Sequence, residues 1–216
     1  MKCAIAQDDR PHEKCAVMGV YGDPQASRFV YYGLYALQHR GQESSGIVSC
    51  EDKKFYKHAK MGLVSDVFKN PHNLERLKGR CAVGHNRYST TGRTQLVNAQ
   101  PLVVSSNIGP MAIAHNGNFV NSGPLRAELE NEGALFQTTT DTEIVLHLIS
   151  KSKHEHVIEK IKEAFNIVKG AFSIVLMIDG KLYAVRDPNG FRPLCIGKKG
   201  ETIIVASESC ALDIIE

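Results

Sequence analysis

The first sustained apolar run, Cys15-Ala16-Val17-Met18-Gly19-Val20-Tyr21, predicts a buried strand led by a thiol. Asp23-Pro24 signals a turn, and a helix is predicted over 26–39, with Phe29, Leu34 and Leu37 among its apolar positions. Short strand-like runs follow at 46–49, 55–58, 81–85, 103–104 and 111–115. Gly, Pro, Asn and Ser clusters separate them, which favours a sheet over a helical bundle.

Three helices come next. The first carries Leu125 and Leu129 after Pro124, a residue suited to the N1 position. The second opens with Thr140-Asp141-Thr142-Glu143, a Thr-x-x-Glu capping box, and repeats Ile144, Val145, Leu148 and Ile149 on one face. The third places Val157, Ile158, Ile161, Phe165 and Val168 in one stripe. Strands return at 171–178 and 182–186, joined by Asp179-Gly180, a strong hairpin signal, and again at 193–197 and 202–207. The order strands, helices, strands, with hairpins more prominent than regular βαβ units, predicts an α+β layered domain with largely antiparallel sheets.

The 216 residues and 43% hydrophobic content suit one large domain around a single core. A net charge of +3, from 26 basic and 23 acidic residues with no run of five like charges, argues against nucleic acid or an anionic membrane surface as a partner. The six cysteines, at 3, 15, 50, 81, 195 and 210, form no Cys-x-x-Cys pair, so zinc or a redox couple is not expected. Residues 1–14 lack the apolar core of a secretory signal, and no segment approaches the roughly 18 apolar residues of a membrane span. The expectation is a cytoplasmic protein in a reducing compartment.

Five places carry candidate chemistry. If residues 1–14 were removed, Cys15 would hold both a sulfur nucleophile and a free α-amine able to act as its base near neutral pH. A lone cysteine at a strand start is also an ordinary buried hydrophobe. Gln38-His39-Arg40-Gly41-Gln42-Glu43 reads by itself as a solvated helix end, with His39 and Arg40 answering the helix dipole. In His85-Asn86-Arg87-Tyr88-Ser89-Thr90-Thr91-Gly92, an arginine at a strand end could clamp a carboxylate or form a surface ion pair. His115-Asn116-Gly117-Asn118 fits either an oxyanion hole or a tight turn. Asp141 at a helix start stabilises the dipole whatever else it does.

Taken in order, Cys15, Gln38 to Glu43, Arg87-Tyr88-Ser89-Thr90, His115 to Asn118 and Thr140 to Glu143 resemble the class II glutamine amidotransferases, which are N-terminal-nucleophile hydrolases. The fuller resemblance is to the glutaminase domain of the amidophosphoribosyltransferase family, through Arg186-Asp187-Pro188-Asn189-Gly190-Phe191-Arg192-Pro193-Leu194 and Ala206-Ser207-Glu208-Ser209-Cys210-Ala211. It covers 15–216 and implies a four-layer αββα sandwich with two largely antiparallel sheets, preceded by a removed leader at 1–14. It further implies Cys15 as nucleophile, Asn116 and Gly117 as oxyanion donors, Arg87 and Thr90 on the α-carboxylate of glutamine, and Asp141 on its α-ammonium. The ammonia would serve phosphoribosylamine synthesis in purine biosynthesis. That step belongs to a phosphoribosyltransferase domain expected to lie outside this chain, along with its magnesium and, in some members, an iron-sulfur cluster. The full enzyme would be a homo-oligomer, and no cofactor is expected in this chain. Two departures stand out: Ala16 follows the nucleophile where glycine is usual, and Lys14 precedes it where an acidic residue is common. The rival readings are the glutaminase domain of another amidotransferase, such as glucosamine-6-phosphate synthase, and an inactive interaction domain on the same scaffold. Against the former, Thr91 stands where that enzyme tends to have histidine.

Overall fold

The computed structural model describes residues 15–88 and 95–215; the leader and Thr90 lie outside the described residues. The chain forms β1 (Ala16–Tyr21), α1 (Ala26–Ala36), β2 (Ser44–Glu51), β3 (Lys54–Met61), two short helices α2 (Val64–Val67) and α3 (Pro71–Glu75), and β4 (Cys81–Arg87). Next come β5 (Leu102–Ser106), β6 (Gly109–Phe119) and the helices α4 (Ser122–Asn131), α5 (Thr142–Lys151) and α6 (Val157–Ile167). β7 (Gly170–Ile178), β8 (Lys181–Arg186), β9 (Cys195–Lys199), β10 (Thr202–Ala206) and α7 (Cys210–Asp213) follow.

The strands make two antiparallel sheets, one of order β3-β2-β4-β1-β10-β9 and one of order β5-β6-β7-β8. Side chains alternate across each strand, so the apolar run of β1 serves two cores. Ala16, Met18 and Val20 pack under α1, whereas Val17 joins Val48, Val83, Ala112, Ala114, Val175 and Met177 between the sheets. Ile174, Leu176 and Ile178 of β7 point the other way, under α5 and α6. The result is the expected four layers, helix, sheet, sheet, helix. A one-residue slip of β1 would exchange its two faces, so burial on both sides fixes its register.

Close approach sets the spacing of α1 on its sheet. A Cβ on Gly33 would lie 1.9 Å from Met18 Sδ, and one on Gly84 would lie 2.3 Å from Val30 Cγ1. The edge strand β3 carries Lys54, Lys57 and Lys60, charges that discourage pairing with another sheet.

Three local expectations are corrected. α4 starts at Ser122, so Pro124 sits at its third position; it is tolerated because first-turn N–H groups have no intrahelical acceptor. Thr140-Asp141-Thr142-Glu143 is not a capping box: α5 starts at Thr142, and the Glu143 carboxylate accepts from the N–H groups of Gln137 and Thr138 at 2.8 and 2.7 Å. That carboxylate secures the loop before the helix. The segment after α1 is not a solvated end either, since Arg40 is 1% exposed.

One buried contact joins the sheets directly. His85 of β4 donates from Nε2 to the carbonyl of His115 in β6 at 2.9 Å, and the His85 Nδ1 has no partner. Burial holds the His85 ring down to about 3, with the charges of His115 and Arg87 adding and the hydrogen bond opposing. The folded value is depressed, so the stabilisation is complete above the unfolded value of about 6.5 and is lost as pH falls from there towards the folded value. Urea unfolding should therefore show stability falling by about 1.4 kcal/mol per pH unit across that window from this residue. His85→Gln should flatten the slope, and an equally steep slope in the variant would assign the acid sensitivity to other groups.

Candidate active site

The ends of β1, β4, β6 and β10 build the site. Cys15 lies just before β1 and is 6% exposed. Its neighbour Ala16 pairs with Asn86 of β4, which brings the thiol to Tyr88, just beyond that strand. Cys15 Sγ donates to the Tyr88 carbonyl at 3.2 Å and accepts from the Tyr88 N–H at 3.3 Å. No side-chain base touches the thiol among the described residues. Burial pushes its pKa up; the Tyr88 backbone and the charges of Arg87 and Arg40 pull it down without cancelling that effect, and Glu43 adds to it. The thiol is protonated at neutral pH.

Arg40 grips the Cys15 backbone from both sides. The Cys15 N–H donates to the Arg40 carbonyl at 2.9 Å, and Arg40 Nε donates to the Cys15 carbonyl at 2.9 Å. The Arg40 guanidinium also pairs with Glu208, whose other oxygen meets His39 Nε2 at 3.1 Å. Burial of the Glu208 carboxyl would raise its pKa, but Arg40 and His39 outweigh that and hold it below the usual range. A second ion pair stands beside it: Arg87 Nη1 lies 2.7 Å from Glu43 Oε1, with Arg87 3% exposed.

The fourth and fifth predicted clusters meet on the other sheet. Asn116 is fully buried, with Nδ2 3.5 Å from Ser173 Oγ on β7. Gly117 has φ +147°, and a Cβ there would lie 2.1 Å from the Ala171 carbonyl oxygen, so no other residue fits. Asp141 accepts from the Phe119 N–H at 2.8 Å and lies 3.6 Å from His115 Nδ1. Burial acts to raise its carboxyl, yet His115 and the Phe119 N–H hold it below the ordinary carboxylate range. It stays ionised at neutral pH. His115 itself is fixed by Thr142 Oγ1 at 3.0 Å and by Gln100 Oε1, which accepts its N–H at 2.8 Å.

Cys15 and Arg87 are thus joined through Tyr88, Asn116 and Asp141 through His115, and the pairs through the His85 contact. Sequence reasoning missed the buried role of Arg40 and the parts of Glu208 and Glu43. Each residue stood inside a quoted motif, but the Arg40 to Glu208 contact spans 168 positions and has no local signature. The segment 186–194 is held by Asp187, whose carboxylate accepts from the N–H groups of Phe172, Asn189, Phe191 and Arg192 at 3.0–3.2 Å. Among the described residues, no three His, Cys, Asp or Glu side chains gather as a metal-holding group, and no helix is long and apolar enough to cross a membrane.

Residues 85–213 match the family described as glutamine amidotransferase domain. The chain is 51% identical to a chloroplastic amidophosphoribosyltransferase of Vigna aconitifolia, over 99% of this chain and 44% of that protein. It is 44% identical to the amidophosphoribosyltransferase of Bacillus subtilis, over 94% of this chain and 43% of that protein. The chain therefore spans less than half the length of these relatives. The solved structure of glutamine phosphoribosylpyrophosphate amidotransferase from B. subtilis, complexed with ADP and GMP, superposes with a TM-score of 0.88 at 44% identity. That overlap covers 93% of this chain and 43% of the solved one. A glutamine aminotransferase class-II domain protein from Silicibacter pomeroyi shares the fold, with a TM-score of 0.58 at 14% identity. The matched segment contains Arg87, Asn116, Gly117 and Asp141, and this chain belongs to the glutamine amidotransferase domain family.

Proposed function

We propose that the chain is the glutaminase portion of an amidophosphoribosyltransferase. It hydrolyses glutamine to glutamate and ammonia, and the ammonia serves phosphoribosylamine synthesis from phosphoribosyl pyrophosphate in de novo purine biosynthesis. The observation that carries this reading is the state of Cys15: a buried thiol with raised pKa, touched by no side-chain base among the described residues, whose own nitrogen is held by the Arg40 carbonyl. Removal of residues 1–14 turns that nitrogen into an amine that can take the thiol proton. Cys15 has φ +69°, a left-handed conformation that costs a non-glycine residue about 1–3 kcal/mol while a residue precedes it. Cleavage removes that constraint.

In this mechanism the Cys15 thiolate attacks the side-chain amide carbon of glutamine, and the amine holds the proton. The oxyanion is met by Asn116 Nδ2 and the Gly117 N–H. The proton passes to the leaving nitrogen, the C–N bond breaks, and ammonia departs from a thioester. Water, deprotonated by the same amine, then releases glutamate and restores the thiol. Arg87 and Thr90 bind the α-carboxylate, and ionised Asp141 binds the α-ammonium. Neither half-step needs a metal or organic cofactor.

The partner of this portion is a phosphoribosyltransferase domain, in an enzyme we take to be a homo-oligomer. Some relatives are named chloroplastic. The five described cysteines are free, which fits a reducing compartment such as the cytoplasm. Identity of 44–51% to amidophosphoribosyltransferases favours this reading over another amidotransferase. A glutaminase assay separates it from an inactive scaffold.

Active protein should begin at Cys15. N-terminal sequencing that finds Met1 on active protein would sink the amine-as-base mechanism, because a peptide nitrogen cannot accept the thiol proton.

Arg87→Lys keeps the charge but loses the planar fork, so KM for glutamine should rise about tenfold or more with a smaller change in kcat. Unchanged kinetics would remove Arg87 from the site.

Asp141→Asn should impair hydrolysis of glutamine more than that of analogues lacking the α-amine. Equal losses on both would assign Asp141 to holding Phe119 and His115 alone.

A further inference from the structure

The segment that follows β10 is stitched to the nucleophile. β10 pairs with β1 through Met18 and Ala206. One step on, the Ser207 N–H donates to the Val17 carbonyl at 3.0 Å, but the Val17 N–H goes to the Ser207 hydroxyl at 2.9 Å. The hydroxyl replaces the next rung of the ladder, which frees the main chain to turn away. The turn delivers Glu208 to Arg40, whose guanidinium is buried and whose Nε holds the Cys15 carbonyl. A guanidinium that cannot shed its proton needs an opposite charge when it is buried.

We infer that Glu208 is a positioning residue of the glutaminase site, which fixes Arg40 against the Cys15 backbone and so sets the placement of thiol and amine. The inference rests on the reading of Cys15 as nucleophile. It adds a residue that touches neither the thiol nor, in the proposed mechanism, the substrate. Glu208 is one-third exposed, so its replacement by glutamine leaves a side chain that water can solvate. Without the carboxylate, Arg40 loses one of the contacts that hold it against the Cys15 carbonyl, so the nucleophile loosens and the amine shifts. The loosened Cys15 is easier to alkylate.

The test expresses the 216-residue chain and its E208Q form, confirms by N-terminal sequencing that both begin at Cys15, and compares them by glutaminase kinetics, thermal unfolding and the rate at which iodoacetamide modifies Cys15, followed by peptide mass. The expected result is a kcat lower by about 10- to 100-fold, as for a reacting group displaced by about 1 Å, with KM for glutamine within about twofold and an unchanged melting temperature. Cys15 should be alkylated several-fold faster. In an Arg40→Met background, E208Q should add little to either loss, because the effect runs through Arg40. Equal alkylation rates in wild type and E208Q, or fully additive losses in the double variant, overturn the inference. A wild-type protein that begins at Cys15 and hydrolyses no glutamine overturns the proposed function instead, and the alkylation rates still decide the role of Glu208. Should E208Q fail to fold, Ser207→Ala, which removes the substitute rung, carries the same comparison.

Discussion

A charge buried at the end of β1 is the constraint on which this site depends. The Arg40 side chain is 1% exposed, and a guanidinium in that position is tolerated only with its donors satisfied and its charge balanced. Cys15 supplies a carbonyl and Glu208 a carboxylate, so three segments distant in sequence are drawn to one point. The requirement is mutual. Without the Arg40 side chain, the Cys15 carbonyl at the mouth of β1 would lose its Nε donor.

The same crowding decides the chemistry. Packing that places Cys15 accurately also removes water from its sulfur, and loss of water disfavours the thiolate. The nearby guanidinium groups of Arg87 and Arg40 reduce that penalty but do not erase it. A buried thiol of this kind stays protonated at neutral pH, and in the proposed mechanism the base is the nitrogen of Cys15 itself. In that mechanism the nitrogen cannot take the thiol proton while it is part of a peptide bond. Two features that look like defects, a raised thiol pKa and a left-handed φ in a non-glycine residue, fit one account in which a leader precedes the nucleophile.

Much of the fold was legible because it depends on local pattern. The unbroken apolar run of β1 gave a strand buried on both faces, and Asp179-Gly180 gave a hairpin whose turn residues have φ +49° and +81°. The stripe on α6 was equally plain. The short helices α2, α3 and α7 have four or five residues and too few turns for a periodic signal. Glu143 misled for a different reason: a Thr-x-x-Glu pattern fixes residue types, but the carboxylate found better donors in the preceding loop. Arg40 could not have been read as buried, because a charged residue after a helix is usually solvated and its balancing charge comes from the far end of the chain. The resemblance to a known family singled out Cys15, Arg87, Asn116, Gly117 and Asp141 as candidates, whereas the ion pairs beside them emerge only in three dimensions.

The site is also shared between the sheets, which explains the character of the layer between them. Cys15 and Arg87 belong to one sheet, Asn116 and Gly117 to the other, and the buried contact from His85 to His115 ties the halves together. Any sliding of one sheet over the other would separate Cys15, the proposed nucleophile, from Asn116 and Gly117, the groups proposed to meet the oxyanion. Small residues at the interface oppose such sliding by bringing the sheets close: a Cβ on Gly19 would lie 2.7 Å from Val175 Cγ1, and Ala112 and Ala114 face the same layer. At that spacing a shift along the strands drives side chains into one another instead of into open space, so close packing converts a two-part site into a rigid one.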